Sequence, residues 1–127
     1  MLKSFQELQA WKEARELALG VYRMTSTFPR EERYGLTAQL RRCASSVGAN
    51  IAEGFGRRST KDFIRYLEIA SGSLEETRHF LILAHDLGYV KPATFRLFGG
   101  NCDRTGKLLG ALVRSLKNRL NSKGSSQ

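Results

Sequence analysis

Residues 34–57, YGLTAQLRRCASSVGANIAEGFGR, decide the fold. Wound at roughly 100° per residue, they sort into three faces rather than two. Leu40, Ala44, Val47, Ile51 and Phe55 share one narrow arc, and Ser45, Ala49, Ala52 and Gly56 a second. Gln39, Arg42, Ser46, Asn50, Glu53 and Arg57 make a third. A lone surface helix needs one buried face. The second face, built only of small residues, lets another backbone approach closely, so this helix is expected to pack on two sides. That places it in a bundle interior or at a subunit contact.

Hydrophobic period and punctuation extend the pattern outward. Ser4 with Glu7 reads as a capping box. It opens a helix over about 5–27 in which Leu8, Trp11, Ala14, Ala18, Val21, Thr25 and Phe28 lie near one face until Pro29. Ser59 can cap a third helix, with Asp62 in its first turn favourable to the helix dipole. Phe63, Leu67, Ala70, Leu74, Thr77, Leu81 and Ala84 then alternate four and three apart, the seam spacing of helix bundles, and Gly88 supplies a stop. Pro92 suits the first turn of a fourth helix, whose seam is Phe95, Phe98, Cys102, Thr105, Leu109, Leu112 and Leu116. Gly99-Gly100 is a place for a bend. Residues 121–127, NSKGSSQ, have nothing to bury and are expected to form a disordered polar tail.

The expectation is an all-α, antiparallel up-down-up-down four-helix bundle, one domain over residues 1–120. With 127 residues the chain is long enough for one core without disulfides or metals. Residues 1–4 show no signal segment and no run of about 18 apolar residues occurs, so a cytoplasmic protein is expected. Cys43 and Cys102 form no CxxC pair and fall among apolar helix positions. Small buried hydrophobes are the favoured reading, a reactive thiol or a disulfide the alternative.

Leu40-Arg41-Arg42, Ser46-Val47, Asn50-Ile51-Ala52-Glu53-Gly54, Gly56-Arg57 and Ala70-Ser71-Gly72-Ser73-Leu74-Glu75-Glu76 resemble the bacterial four-helix bundle proteins encoded within intervening sequences of large-subunit ribosomal RNA genes. Phe5, Leu8, Trp11 and Lys12 resemble that family's opening, Phe28-Pro29 with Glu32, Tyr34, Gly35 and Leu36 its first connection, and Leu87-Gly88-Tyr89 its third. The resemblance spans about residues 5–120 and implies the same fold and a ring-like homopentamer. A related likeness, to accessory proteins of diversity-generating retroelements, implies a partner protein. Where the family commonly carries proline after its Ser-Ile pair, this chain has Gly48, which weakens a helix interior, so a bend within 36–57 is expected.

Charge is the functional clue. The net charge is +9, and residues 91–127 alone hold eight Lys and Arg against Asp103. Arg96, Arg104, Lys107 and Arg114 project away from the fourth seam, with Lys117 beyond them, while Arg41-Arg42 and Arg57-Arg58 add smaller clusters. Such a surface attracts polyphosphate backbones with little sequence readout. Nucleic acid, RNA favoured, is the expected partner, and a solubilising face the bland alternative. No helix-turn-helix, aromatic-bearing strand or zinc spacing is present for base-specific reading.

Catalytic and cofactor constellations are weak. His79 and His85 are turned about 240° apart on one helix and cannot jointly hold a metal. Gly54-Phe55-Gly56 follows no strand and lacks the nucleotide fingerprints, so its glycines read as close-packing or helix-ending positions. Glu53 has Ser46, Arg42 and Arg57 nearby but no second acid or nucleophile, so Asn50 and Glu53 are assigned, with Ser45, Ala49, Ala52 and Gly56, to packing or oligomer contacts. No catalytic residue, cofactor or metal is expected. Two function classes remain: a non-catalytic oligomeric nucleic-acid-binding protein, and an oligomeric scaffold or adaptor for another protein. Residence within an rRNA gene does not by itself establish rRNA binding.

Overall fold

A computed structural model describes residues 2–125 and contains four helices: α1 (Gln9–Thr25), α2 (Leu36–Phe55), α3 (Thr60–Asp86) and α4 (Pro92–Ser125). No strand occurs among the described residues. α2 packs on α1 and α3, and α4 packs on α1 and α3, while the backbones of the diagonal pairs do not approach closely, so the helices close a four-cornered bundle. One core fills it, centred on Leu17, Val21, Leu40, Val47, Ile51, Leu67, Leu74 and Leu109.

The predicted seams of α2, α3 and α4 point inward. Leu40, Ala44, Val47 and Ile51 are fully buried, as are Leu67, Ala70 and Thr77 and, on α4, Cys102 and Thr105. Leu17 and Ile64 are also buried but lie off the predicted series. α1 touches both α2 and α4, so its apolar arc must be wider than a single stripe.

The ends differ from expectation where short-range bonds compete. Ser4 and Glu7 do form the capping box, with Ser4 Oγ accepting from the Gln6 N–H at 3.1 Å, but they cap a 3₁₀ turn over Phe5–Glu7. Leu8 is extended, which turns its side chain into the core and delays α1 to Gln9. Phe5 then meets Trp11 edge-on at 5.1 Å. α2 runs unbroken through Gly48. α4 continues through residues 121–125, part of the stretch expected as a disordered tail, because each residue added to an existing helix gains a backbone hydrogen bond for a small entropic cost. Ser126 and Gln127 lie outside the described residues.

The connections are pinned by polar groups. Glu32 accepts from the Leu36 N–H at 3.2 Å and from the Tyr89 hydroxyl at 3.0 Å, so one carboxylate joins the α1–α2 connection, the start of α2 and the α3–α4 connection. The same hydrogen bond raises the Tyr89 phenol above its ordinary pKa, because it favours the neutral, donating form. Ser59 Oγ accepts from the Asp62 N–H at 3.1 Å and caps α3. Gly88, with φ +82°, is the left-handed residue that ends it.

Two glycines of α2 carry opposite expectations. A Cβ on Gly54 would sit 2.7 Å from Tyr66 Cβ and 3.0 Å from Phe63, so Gly54→Ala should destabilise the protein by about 1–3 kcal/mol in denaturant unfolding. A Cβ on Gly48 would meet Trp11 and Ala14 at 3.6 and 3.7 Å, ordinary contact distances, so Gly48→Ala should stabilise by roughly 0.5–1 kcal/mol. Burial pushes the Cys102 thiol up from 9.0 to about 11. The folded chain therefore holds its proton where the unfolded chain has lost it. This contribution to stability is complete below pH 9 and disappears as pH rises through about 11. Cys102→Ala should flatten the stability profile over that window.

Candidate nucleic-acid interface

The nine predicted nucleic-acid cations fall into two groups. Arg41 is half-buried: its Nε donates to Thr25 Oγ1 at 2.8 Å, and its guanidinium lies 4.8 Å from the centre of the Tyr22 ring. It ties α2 to α1. Arg42 pairs with the Glu76 carboxylate on α3 and donates to Gln39 Oε1. Arg57 pairs with Glu53 at 2.6 Å, donates to the Tyr66 hydroxyl at 2.7 Å and covers the Tyr66 ring. Arg104 reaches Glu13 on α1 at 3.6 Å. These four have internal partners, so phosphate would have to compete for them.

Arg58, Arg96, Lys107, Arg114 and Lys117 are exposed, and among the described residues none has a carboxylate within ion-pair distance. Four of the five stand on α4. Its helical twist aligns Arg96, Lys107 and Arg114 on an arc of about 20°. Arg114 folds back over Gly110, its Nη1 only 3.3 Å from where a Cβ would stand. Glycine at that position lets the guanidinium lie close to the helix surface.

The second and third faces of α2 also separate. Ser45 and Ala52 are half-buried, whereas Ala49 and Gly56 are exposed. Ser45 donates to the Arg41 carbonyl at 2.6 Å. With Trp11 and Tyr22 of α1, Ser45 and Ala49 line an open groove of about 260 Å³. On the polar face Asn50 Nδ2 donates to Ser46 O and Oγ at 2.8 and 3.0 Å, and Ser73 Oγ lies 3.1 Å from Ser46 Oγ. Asn50 thus reaches α3 only through Ser46, and Glu53 is engaged by Arg57.

Arg78 is a structural cation that period alone does not single out. From α3 it pairs with Glu75 at 3.1 Å and reaches Asp103 on α4 at 2.9 Å. The (i, i+3) acid at Glu75 is the only sequence signal for it; the partner on α4 needs the fold. His85 stacks on Phe95 with centroids 4.4 Å apart, and His79 meets Phe80 edge-on at 5.0 Å. Among the described residues no three His, Cys, Asp or Glu side chains cluster as a metal site. No helix among them is long and apolar enough to cross a membrane.

No curated protein is significantly similar to the chain. A solved structure from Bacteroides thetaiotaomicron, a protein of unknown function from the S23 ribosomal protein family, has the same fold. Its TM-score is 0.74 at 24% identity, over 82% of this chain and 97% of that one. The profile of the family described as 23S rRNA-intervening sequence protein matches residues 6–111, which include all of α1, α2 and α3, the predicted NIAEG segment and most of α4. The chain belongs to the 23S rRNA-intervening sequence protein family.

Proposed function

We propose that this protein is a non-catalytic, oligomeric RNA-binding protein that contacts phosphates through the cations of α4. The observation that carries the reading is the placement of Arg96, Lys107, Arg114 and Lys117: exposed, on one helix, and free of carboxylate partners among the described residues. Cations already neutralised in the fold release few counterions on binding, whereas unpaired ones contribute fully. The arrangement suits backbone contact rather than base reading.

The same reading takes the bundle as antiparallel up-down-up-down and the assembly as a homopentamer. Contacts that run in opposite senses support the first: Arg42 with Glu76, Ser46 with Ser73, and Gly54 against Tyr66. The exposed half of the small-residue face supports a subunit contact for the second. Light scattering after size exclusion should give the mass of five 14.3 kDa chains. A concentration-independent mass of one chain would contradict it.

A scaffold or adaptor function is the second reading, favoured by the internal engagement of Arg41, Arg42, Arg57 and Arg104. The two are separated by changing Arg96, Lys107, Arg114 and Lys117 together to Gln. Affinity for structured RNA should fall, and the slope of log K against log salt should become shallower by roughly 0.7–0.9 for each phosphate that the variant no longer neutralises. Far-UV circular dichroism should stay helical. Equal affinity of variant and parent at every salt concentration would move the scaffold reading ahead.

A further inference from the structure

The corner between the α1–α2 connection and the start of α2 gathers three arginines around one free hydroxyl. A 3₁₀ turn over Arg30–Glu32 is closed by the N–H groups of Glu32 and Arg33, which donate to the Pro29 and Arg30 carbonyls at 2.9 and 3.1 Å. Side chains three apart eclipse in such a turn, so Arg30 and Arg33 stand on one side of it. Residues four apart share a helix face, which places Thr37 and Arg41 one above the other on α2. The two pairs meet. With Thr25 of α1 they line one open recess of about 280 Å³.

Thr37 is the residue of this recess that the fold does not use. The other buried threonines, Thr25, Thr77 and Thr105, each donate to the carbonyl four residues back, at 2.7, 2.8 and 2.8 Å. Thr37 is only 8% exposed, yet among the described residues its hydroxyl has no hydrogen-bond partner. No side-chain oxygen lacking a partner is sealed from solvent there, so the Thr37 oxygen opens on the recess. Arg30 and Arg33 are exposed and, among the described residues, have no carboxylate within ion-pair distance. Arg41 is held by Thr25 Oγ1 at 2.8 Å and the Tyr22 carbonyl at 3.3 Å. Neither partner is charged, so the field of the fixed guanidinium is not cancelled. The nearby acids stay out of the recess wall: Glu32 is turned to the Leu36 N–H and the Tyr89 hydroxyl, and Glu31 does not line it.

We propose that this recess binds a phosphate monoester. Arg30 and Arg33 grip its oxygens with charge-assisted hydrogen bonds, the Thr37 hydroxyl donates to one of them, and Arg41 supplies a fixed positive field. Three cations suit the nearly doubly charged monoester better than the single charge of a backbone diester. Shape favours the same group. A diester is flanked by a sugar on each side, whereas a recess below the roughly 300 Å³ of ordinary ligand pockets takes a terminal phosphate and leaves its nucleoside outside. Two sources carry that group, a free mononucleotide and the 5′ end of an RNA strand. The recess shares no residue with the α4 stripe, so loss of backbone binding there and loss of monoester binding here are separate results.

Isothermal titration of nuclease-treated full-length protein tests the site, with adenosine 5′-monophosphate, adenosine, and a short single-stranded RNA carrying either a 5′-phosphate or a 5′-hydroxyl. The mononucleotide should bind saturably, one per chain, and adenosine should not. Its affinity should fall between about pH 7 and about pH 5, because a phosphate monoester takes up its second proton near pH 6. The two strands share one backbone, so any gain from the 5′-phosphate reads this recess and assigns it to chain ends as well; equal strands with a bound mononucleotide assign it to free nucleotides. Arg33→Gln should weaken mononucleotide binding roughly 10- to 100-fold, the loss of a hydrogen bond between charged groups. Thr37→Val should weaken it about 2- to 10-fold while leaving every charge in place, so a merely cationic surface would not register it. Circular dichroism should remain helical for both. No saturable uptake of the mononucleotide, or uptake that Thr37→Val and Arg33→Gln leave unchanged, would overturn the site.

Discussion

Burial of α2 on two sides is the constraint from which the rest of the bundle follows. Leu40, Cys43, Ala44, Val47 and Ile51 are wholly inaccessible, on a helix that packs on both α1 and α3. A helix so enclosed has little room for side chains at its crossings, which is why Gly54 faces Phe63 and Tyr66 at distances that would exclude a methyl group. The polar groups that remain on α2 must bond within or beside the helix, because an unpaired polar group away from water costs about 1–3 kcal/mol. Asn50, Ser46 and Ser73 form one such set and Arg41 with Thr25 another.

That enclosure also divides the charges by role. Cations close to α2 are consumed by the fold: Arg41 on α1, Arg42 on α3, and Arg57 between Glu53 and Tyr66. α4 lies diagonally across the core from α2, and its outward face is left without such duties. Exposed ion pairs contribute little to stability, typically well under 1 kcal/mol, so the unpaired cations of α4 are not there to hold the monomer together. They are available to an external anion such as RNA phosphate.

Much of this was legible from residue spacing. The alternation of fours and threes located the seams of α3 and α4, and Ser59, Gly88 and Pro92 stand at the helix ends they mark. What spacing could not supply lay in contacts between distant residues. Leu17 and Ile64 are core because α1 and α3 each face two neighbours. Leu8 leaves the helical path because its own burial outweighs continuing the capped turn. The candidate interface was legible as an excess of charge, but not in its selection: only the fold shows that Arg41, Arg42, Arg57 and Arg104 have partners while Arg96, Lys107, Arg114 and Lys117 do not. A cation's partner across the bundle has no fixed sequence offset, so no periodicity reports it.

The central claim is that unpaired cations on an all-helical scaffold bind RNA through its phosphates. Titrating nuclease-treated parent protein with one structured RNA, over a series of salt concentrations, tests it most directly. The account predicts a linear fall of log K with log salt whose slope corresponds to several phosphate contacts, and nearly the same line for a second RNA of equal length and shape. No measurable binding at low salt, or affinity that is insensitive to salt, would contradict it.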